Sequence, residues 1–180
     1  VDFINNTAVY KGGAIYSEGD VNVVDCVFDS NDITFRTSND DNGGAAIYNL
    51  RGILLIKDSK ITNNLKDIVI RDGNSGDLLV GAVVTSGETI IDNVYFANNT
   101  GSWGGAITAL SEDDGFAVLI EDTIFEGNNA TFGGAIFADS IILEVNNCTF
   151  ENNEAYNGAG IYIFSNADES GLCCISKEAG

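Results

Sequence analysis

Apolar and polar positions alternate along this chain in short runs. Val21 and Val23 are followed by Cys26 and Phe28, each pair spaced by two. A period of two is the signature of a strand. Asp, Asn and Gly punctuate the runs, and these are turn formers. No stretch sustains a period of 3.6, so no helix is expected. The pattern also recurs. Taking Phe3, Phe28, Ile61, Phe96, Phe125 and Phe150 as anchors, the residue three later is Asn in all cases: Asn6, Asn31, Asn64, Asn99, Asn128 and Asn153. Five before the anchor lie Val23, Ile56, Ile91, Ile120 and Val145, and seven before lie Val21, Leu54, Thr89, Val118 and Leu143. Three before lies Asp or Asn, and two before lies a small residue. Further on come Ile15, Ile47, Val83, Ile107, Ile136 and Ile161, mostly behind Gly-Gly-Ala and mostly followed by an aromatic residue or Thr.

Each unit therefore reads as about three short strands with corners between them. The anchors are 25 to 35 residues apart, the shortest spacing being the bare unit and the excess being insertions. A unit of this size cannot bury its apolar side alone. Stacking buries it, with equivalent strands pairing in parallel about 4.8 Å apart. Like side chains then lie above like: an aliphatic row, a Phe row and a row of inward Asn amides that hydrogen-bond from coil to coil. Gly-Gly supplies positive φ or close backbone approach at another corner. The expected fold is all-β: a right-handed single-stranded parallel β-helix (solenoid) of about six coils, with loop insertions in coils 2, 3 and 4. Right-handedness extends the rule for parallel β connections. Residues 1–180 are expected to form a single β-helix domain. Val1 already occupies the position two before the first anchor, residues 171–175 resemble the opening strand of a further coil, neither end has a polar cap, and Met is absent. These features suggest a segment of a longer repeat array, with neighbouring β-helix coils of the parent chain as partners.

The paired motifs GGAI (Gly12–Ile15, Gly104–Ile107, Gly133–Ile136) and FxxN (Phe3–Asn6, Phe28–Asn31, Phe96–Asn99, Phe125–Asn128, Phe150–Asn153) resemble the repeats of the polymorphic outer membrane proteins. They are similar as well to adhesin-like surface proteins of bacteria and archaea with a right-handed β-helix of the pectate-lyase-like superfamily. The pattern departs at Ile61, at Val80–Val83 and at Gly158–Ile161. The resemblance implies an extracellular or cell-surface location and an adhesive role, toward a surface glycan or a host or partner-cell protein. It implies no catalytic residue.

Charge narrows the partners. With 27 acids against 8 bases the formal charge is −19. That excludes nucleic acid and anionic membrane as expected partners, since both need a positive field. No membrane insertion by this segment is expected. Six of the eight bases fall between residues 36 and 71: Arg36, Arg51, Lys57, Lys60, Lys66 and Arg71. Two insertions occupy the same interval of neighbouring coils, Asp32–Asn42 and Leu65–Leu79. Stacking would set them side by side, with Arg36, Asp40, Asp41, Lys66, Asp67, Arg71 and Asp72 as a mixed-charge binding patch. Loop drift in a fold that tolerates insertions accounts for the same pattern.

Other chemistry is sparse. There is no His, which excludes a nucleophilic triad and argues against zinc, and no metal site is expected from the spacings. A third insertion, Leu110–Phe116, brings Glu112, Asp113 and Asp114; these, or residues 39–42, could hold Ca²⁺ with backbone oxygens, but neither fits a known calcium loop and solvated acids explain them. Cys26 and Cys148 share a repeat position four coils apart, too far for a disulfide, and read as small apolar fillers. Adjacent Cys173 and Cys174 read as unpaired thiols. Asn5, Asn98, Asn129 and Asn147 head glycosylation sequons, which arise by chance in so Asn-rich a chain. The column Asp25, Asp58, Asn93, Asp122, Asn147 mixes acid and amide, as a corner role allows and a catalytic pair does not. A polysaccharide lyase or hydrolase using Asp67, Arg71 and Arg36, or a passive stalk, remain the alternatives to a non-catalytic adhesin-like segment.

Overall fold

The computed structural model describes residues 1–34, 42–65, 81–111, 116–165 and 172–176. All the regular structure in these residues is β, in three parallel six-stranded sheets and two small two-stranded ones. Each large sheet is one wall of a solenoid and takes one strand from every coil. The first wall holds Asp2–Ile4, Val27–Asp29, Lys60–Thr62, Tyr95–Ala97, Ile124–Glu126 and Thr149–Glu151. The second holds Ile15–Ser17, Ile47–Asn49, Val83–Thr85, Ile107–Leu110, Ile136–Asp139 and Ile161–Phe164. The third holds Val21–Val24, Leu54–Lys57, Thr89–Asp92, Ala117–Glu121, Ile142–Asn146 and Leu172–Ser176. Six rungs per wall correspond to about five full turns from Phe3 to Phe150, followed by the second- and third-wall strands of the last coil.

The register is the one the repeat dictates. Phe3, Phe28, Ile61, Phe96, Phe125 and Phe150 are successive partners on the first wall. The Phe rings stack face on face where they are adjacent, with centroids 4.7 Å apart for Phe3–Phe28, 5.1 Å for Phe96–Phe125 and 4.8 Å for Phe125–Phe150. Ile61 interrupts that column. On the third wall Val23, Ile56, Ile91, Ile120, Val145 and Ile175 align. Thr89 is the polar member of the neighbouring aliphatic row, and it is buried. Its hydroxyl meets Thr85 Oγ1 at 2.7 Å and donates to the Gly87 carbonyl, so burial leaves nothing unsatisfied.

The Asn column closes the corner after the first wall. Asn31 Nδ2 donates both to Asn64 Oδ1 in the next coil (3.0 Å) and to the Phe3 carbonyl in the preceding one (2.9 Å). Its own Oδ1 accepts from Asn6 Nδ2 and from the Asn6 backbone N–H. Asn64, Asn99 and Asn128 repeat this arrangement, and Asn153 ends the column by donating to the Phe125 carbonyl. An amide has two donor hydrogens and two acceptor lone pairs, and in this column all four are used. No other side chain of similar size offers that set.

Two further columns fix the corners through backbone conformation. The Asp/Asn position before the first wall is left-handed in coils 2 to 6, with φ of 52° at Asp25, 50° at Asp58, 53° at Asn93, 48° at Asp122 and 51° at Asn147. Asp and Asn tolerate this conformation where branched or bulky residues do not. The position two after the anchor is left-handed as well, at Asn5, Ser30, Asn63, Asn98, Gly127 and Asn152. The first wall is thus a short strand between two left-handed corners. At the Gly-Gly corner the two glycines do different jobs. Gly133 has φ of 65°, whereas a Cβ on Gly134 would lie 2.4 Å from the Ala159 carbonyl oxygen in the next coil.

The cysteines are more than apolar fillers. Cys26 and Cys148 pack against the core, and each thiol donates 3.2 Å to the carbonyl two residues back, at Val24 and Asn146. Ser59 and Thr123 make the same bond at 2.7 Å, to Lys57 and Glu121. Position −2 therefore favours small donors, with Val1 and Val94 as the exceptions.

Candidate functional site

The patch expected from the insertions falls outside the described residues: Arg36, Asp40 and Asp41 in the first loop, and Lys66, Asp67, Arg71 and Asp72 in the second. The acids Glu112, Asp113 and Asp114 of the third insertion lie outside them too. The roots of the first two loops are described. Both loops leave the corner between the first and second walls, after Thr34 and after Leu65. There Ile33, Ala45 and Leu65 form a small buried cluster of their own, with Ala8 against it. Leu65 is left-handed (φ 62°) and buried, and its N–H donates to the Asn31 carbonyl at 2.9 Å. A leucine in that conformation costs roughly 1–2 kcal/mol. Burial of its side chain in the cluster offsets that cost, so the second loop starts from a fixed root.

A second feature was not singled out from the sequence. On the outer face of the second wall, coils 4 to 6 assemble an aromatic cleft of about 200 Å³ lined by Trp103, Phe132, Phe137, Asp139, Tyr162 and Phe164. Strand alternation places four of these. Ile136 and Ala138 point to the core, which turns Phe137 and Asp139 outward. Tyr162 and Phe164 are their register partners on the next strand. Trp103 and Phe132 come from the adjoining corner, each directly before the first glycine of its coil, and are bridged to one another in parallel register. The rings meet at varied angles. Trp103 is 4.7 Å from Phe137 at 55° and 5.9 Å from Phe132 at 74°. Phe132 meets Tyr162 at 5.2 Å and 55°, while Phe137 and Tyr162 stack at 5.6 Å and 10°. Asp139 is half-buried at the edge, its Oδ1 accepting from Ser140 Oγ at 2.9 Å. The signal for this cleft was present in the sequence as WGGAIT and FGGAIF in successive coils, but aromatic residues before and after the Gly-Gly motif read as separate positions until the turn brings them together.

Polar side chains elsewhere on the walls are absorbed by structure. In the mixed acid and amide column, Asn93 Nδ2 donates to Asp58 Oδ1 at 2.7 Å and Asn147 Nδ2 donates to Asp122 Oδ1. Lys57 Nζ contacts Asp92 Oδ2 at 2.6 Å on the third wall, and the hydrogen bond to that carboxylate raises the lysine pKa. Tyr95 donates to Glu126 Oε2 at 2.6 Å, which raises the phenol pKa. Among the described residues no cluster of three or more His, Cys, Asp or Glu is placed to hold a metal ion, and no helix is long and apolar enough to cross a membrane.

Fold and repeat together define a class, the parallel β-solenoid built by tandem stacking of one coil motif. Part of the chain is similar to a known repeat: the Chlamydia polymorphic membrane protein repeat matches residues 1–18, 93–109, 122–139 and 147–163. Over 176 residues it is 26% identical to the probable outer membrane protein PmpB of Chlamydia muridarum, an alignment covering 87% of this chain and 10% of that protein. It is 29% identical over 104 residues to metabotropic glutamate receptor-like protein R of Dictyostelium discoideum, covering 52% of this chain and 6% of the relative. The chain thus spans about a tenth or less of the curated relatives it matches. No solved structure matches it.

Proposed function

We propose that this chain is a non-catalytic attachment segment, displayed outside the cell, that holds a glycan or protein partner on loops carried by a rigid solenoid. The observation that carries the proposal is the polymorphic membrane protein repeat itself, together with similarity to a probable outer membrane protein. The use of the wall polar groups supports it. The acid and amide column that might have supplied a catalytic carboxylate pair is committed to left-handed corners and to amide–carboxylate bonds. Binding then falls to the interruptions of the repeat, where Arg36, Asp40, Asp41, Lys66, Asp67, Arg71 and Asp72 supply mixed charge on loops with neighbouring roots. An array of glycans and surface proteins, probed with the unmodified chain and with Arg36→Ala/Arg71→Ala, tests the reading. Capture by the unmodified chain, weakened in the double variant at unchanged thermal stability, supports it. Equal capture by both removes the loop patch. Release of unsaturated product from pectin, alginate or a glycosaminoglycan would replace attachment with catalysis.

A further inference from the structure

We infer that the aromatic cleft of coils 4 to 6 is a binding site for a small organic cation of the quaternary ammonium type. Aromatic faces attract a cation through their quadrupole, and several rings set at angles to one another can surround a methylated ammonium group that a flat sugar ring would meet on one side only. Here the half-exposed rings of Trp103, Phe132 and Tyr162 line a space of about 200 Å³ over the buried Phe137, with neighbouring rings meeting at angles from 10° to 74°. Among the described residues the charged one in the lining is an acid, Asp139, and no base lines the cleft. The chain's charge of −19 adds a field of the same sense.

The repeat supplies an internal precedent. In coil 1 the residue before the first glycine is Lys11, and its ammonium sits over the ring of Tyr48 in coil 2, 4.7 Å from the centroid. Lys11 holds the repeat position of Trp103 and Phe132, and Tyr48 that of Phe137 and Tyr162. The bridges Lys11–Gly43 and Trp103–Phe132 have the same parallel register. Trp103 lies 4.7 Å from Phe137, the separation of Lys11 from Tyr48, so an aromatic ring has taken the place of the chain's own cation. The first coil covers this outer face with a lysine. The later coils cover it with rings instead, and among the described lining residues the one charge is the negative Asp139, which a cation from solution would balance.

The chain contains a single tryptophan, Trp103, so occupancy can be followed by its fluorescence without a label. Choline and tetramethylammonium titrated into the unmodified chain should each give a saturable change in Trp103 emission, beyond that of matched NaCl. The uncharged isostere 3,3-dimethylbutan-1-ol should bind at least roughly threefold more weakly, and Asp139→Asn should lose a similar factor for choline while leaving the isostere unaffected. Far-UV circular dichroism verifies that Asp139→Asn retains the fold; if it does not, the choline-to-isostere ratio in the unmodified chain decides alone. No saturable response to either ammonium ion overturns the inference. So does equal binding of the isostere, or a folded Asp139→Asn that binds choline as well as the unmodified chain. A saturable response to methyl glucoside without one to choline assigns the cleft to sugar stacking and overturns it too. The cleft lies apart from the two loop roots, so this result and the array result stand or fall separately.

Discussion

Asn99 donates from Nδ2 to Asn128 Oδ1 at 3.0 Å, and its backbone N–H donates to the same oxygen at 3.1 Å. One side-chain oxygen thus ties down both the amide and the backbone of the coil before it. Asn99→Ala removes the donor to the Ile61 carbonyl and the acceptor of the Asn64 backbone N–H and of one Asn64 Nδ2 hydrogen in a buried corner. The expected loss is about 2–4 kcal/mol, read as a lower denaturation midpoint in urea. An unchanged midpoint would mean that the column contributes little to stability.

Asn99→Asp separates shape from hydrogen-bonding. The acid keeps an oxygen toward Asn64 but, when ionised, loses both donors and is a buried anion beside Asn128 Oδ1. Burial raises the pKa of such a carboxyl. Its neutral form is therefore favoured in the folded state, and the variant's deficit relative to the parent should grow as pH rises through the ordinary carboxylate range and shrink on acidification. Urea midpoints of both proteins across that range test this; a pH-independent difference refutes it.

The left-handed corners predict a rank order. Asp122 has φ of 48°. Asp122→Asn retains tolerance for that conformation and should change stability by less than about 0.5 kcal/mol. Asp122→Val should cost roughly 1–3 kcal/mol, because a β-branched side chain is strained there. Thermal melts of the two variants check the order.

Two glycines make a contrasting pair. A Cβ on Gly105 would sit 2.3 Å from the Gly134 carbonyl oxygen, whereas one on Gly19 meets nothing within 4 Å. Gly105→Ala should therefore separate the coils and lower stability by more than about 2 kcal/mol, while Gly19→Ala should stay within about 0.5 kcal/mol of the parent.

Thiol chemistry reports on the walls. Burial pushes the Cys148 pKa up, and burial does the same to Cys173, whereas Cys174 is exposed. At mildly alkaline pH, Cys174 should be alkylated first and Cys148 much later, as peptide mapping after timed labelling would show. A raised folded-state pKa gives a stability contribution that is whole below the ordinary thiol pKa and is lost as pH climbs through the folded value. Cys148→Ser should therefore soften the alkaline decline in stability; an unaltered decline would place its cause elsewhere.

The scaffold was almost fully legible because stacking converts a one-dimensional period into a three-dimensional column. Asn at +3 could be read as a ladder from identity alone, since a self-pairing amide must recur in every coil. The reason for Asp or Asn at −3 was less accessible. Corner capping and left-handed backbone select the same residues, and only the φ values separate them. The +2 column escaped notice because Asn, Ser and Gly share no polarity or size, only tolerance of positive φ. Cys26 and Cys148 read as fillers because a thiol hides its donor among Val and Thr. The cleft was illegible for a different reason: Trp103 and Phe137 lie 34 positions apart, and their meeting depends on how the corner before Gly104 turns over the next coil.

The interrupted Phe column also bears on how the solenoid would carry a pull. Tension along its axis loads the coil junctions in series, while within each junction the three wall ladders and the Asn link share the force in parallel. Such a rod yields at its weakest junction. Ile61 removes ring stacking from the two junctions it shares with Phe28 and Phe96, which are also the junctions nearest the two loop roots. Stretching in a force spectrometer should begin there, and Ile61→Phe should raise the first rupture force. The two loop roots then stand where the rod is most compliant, so a partner bound as proposed would pull on the part of the molecule that gives first.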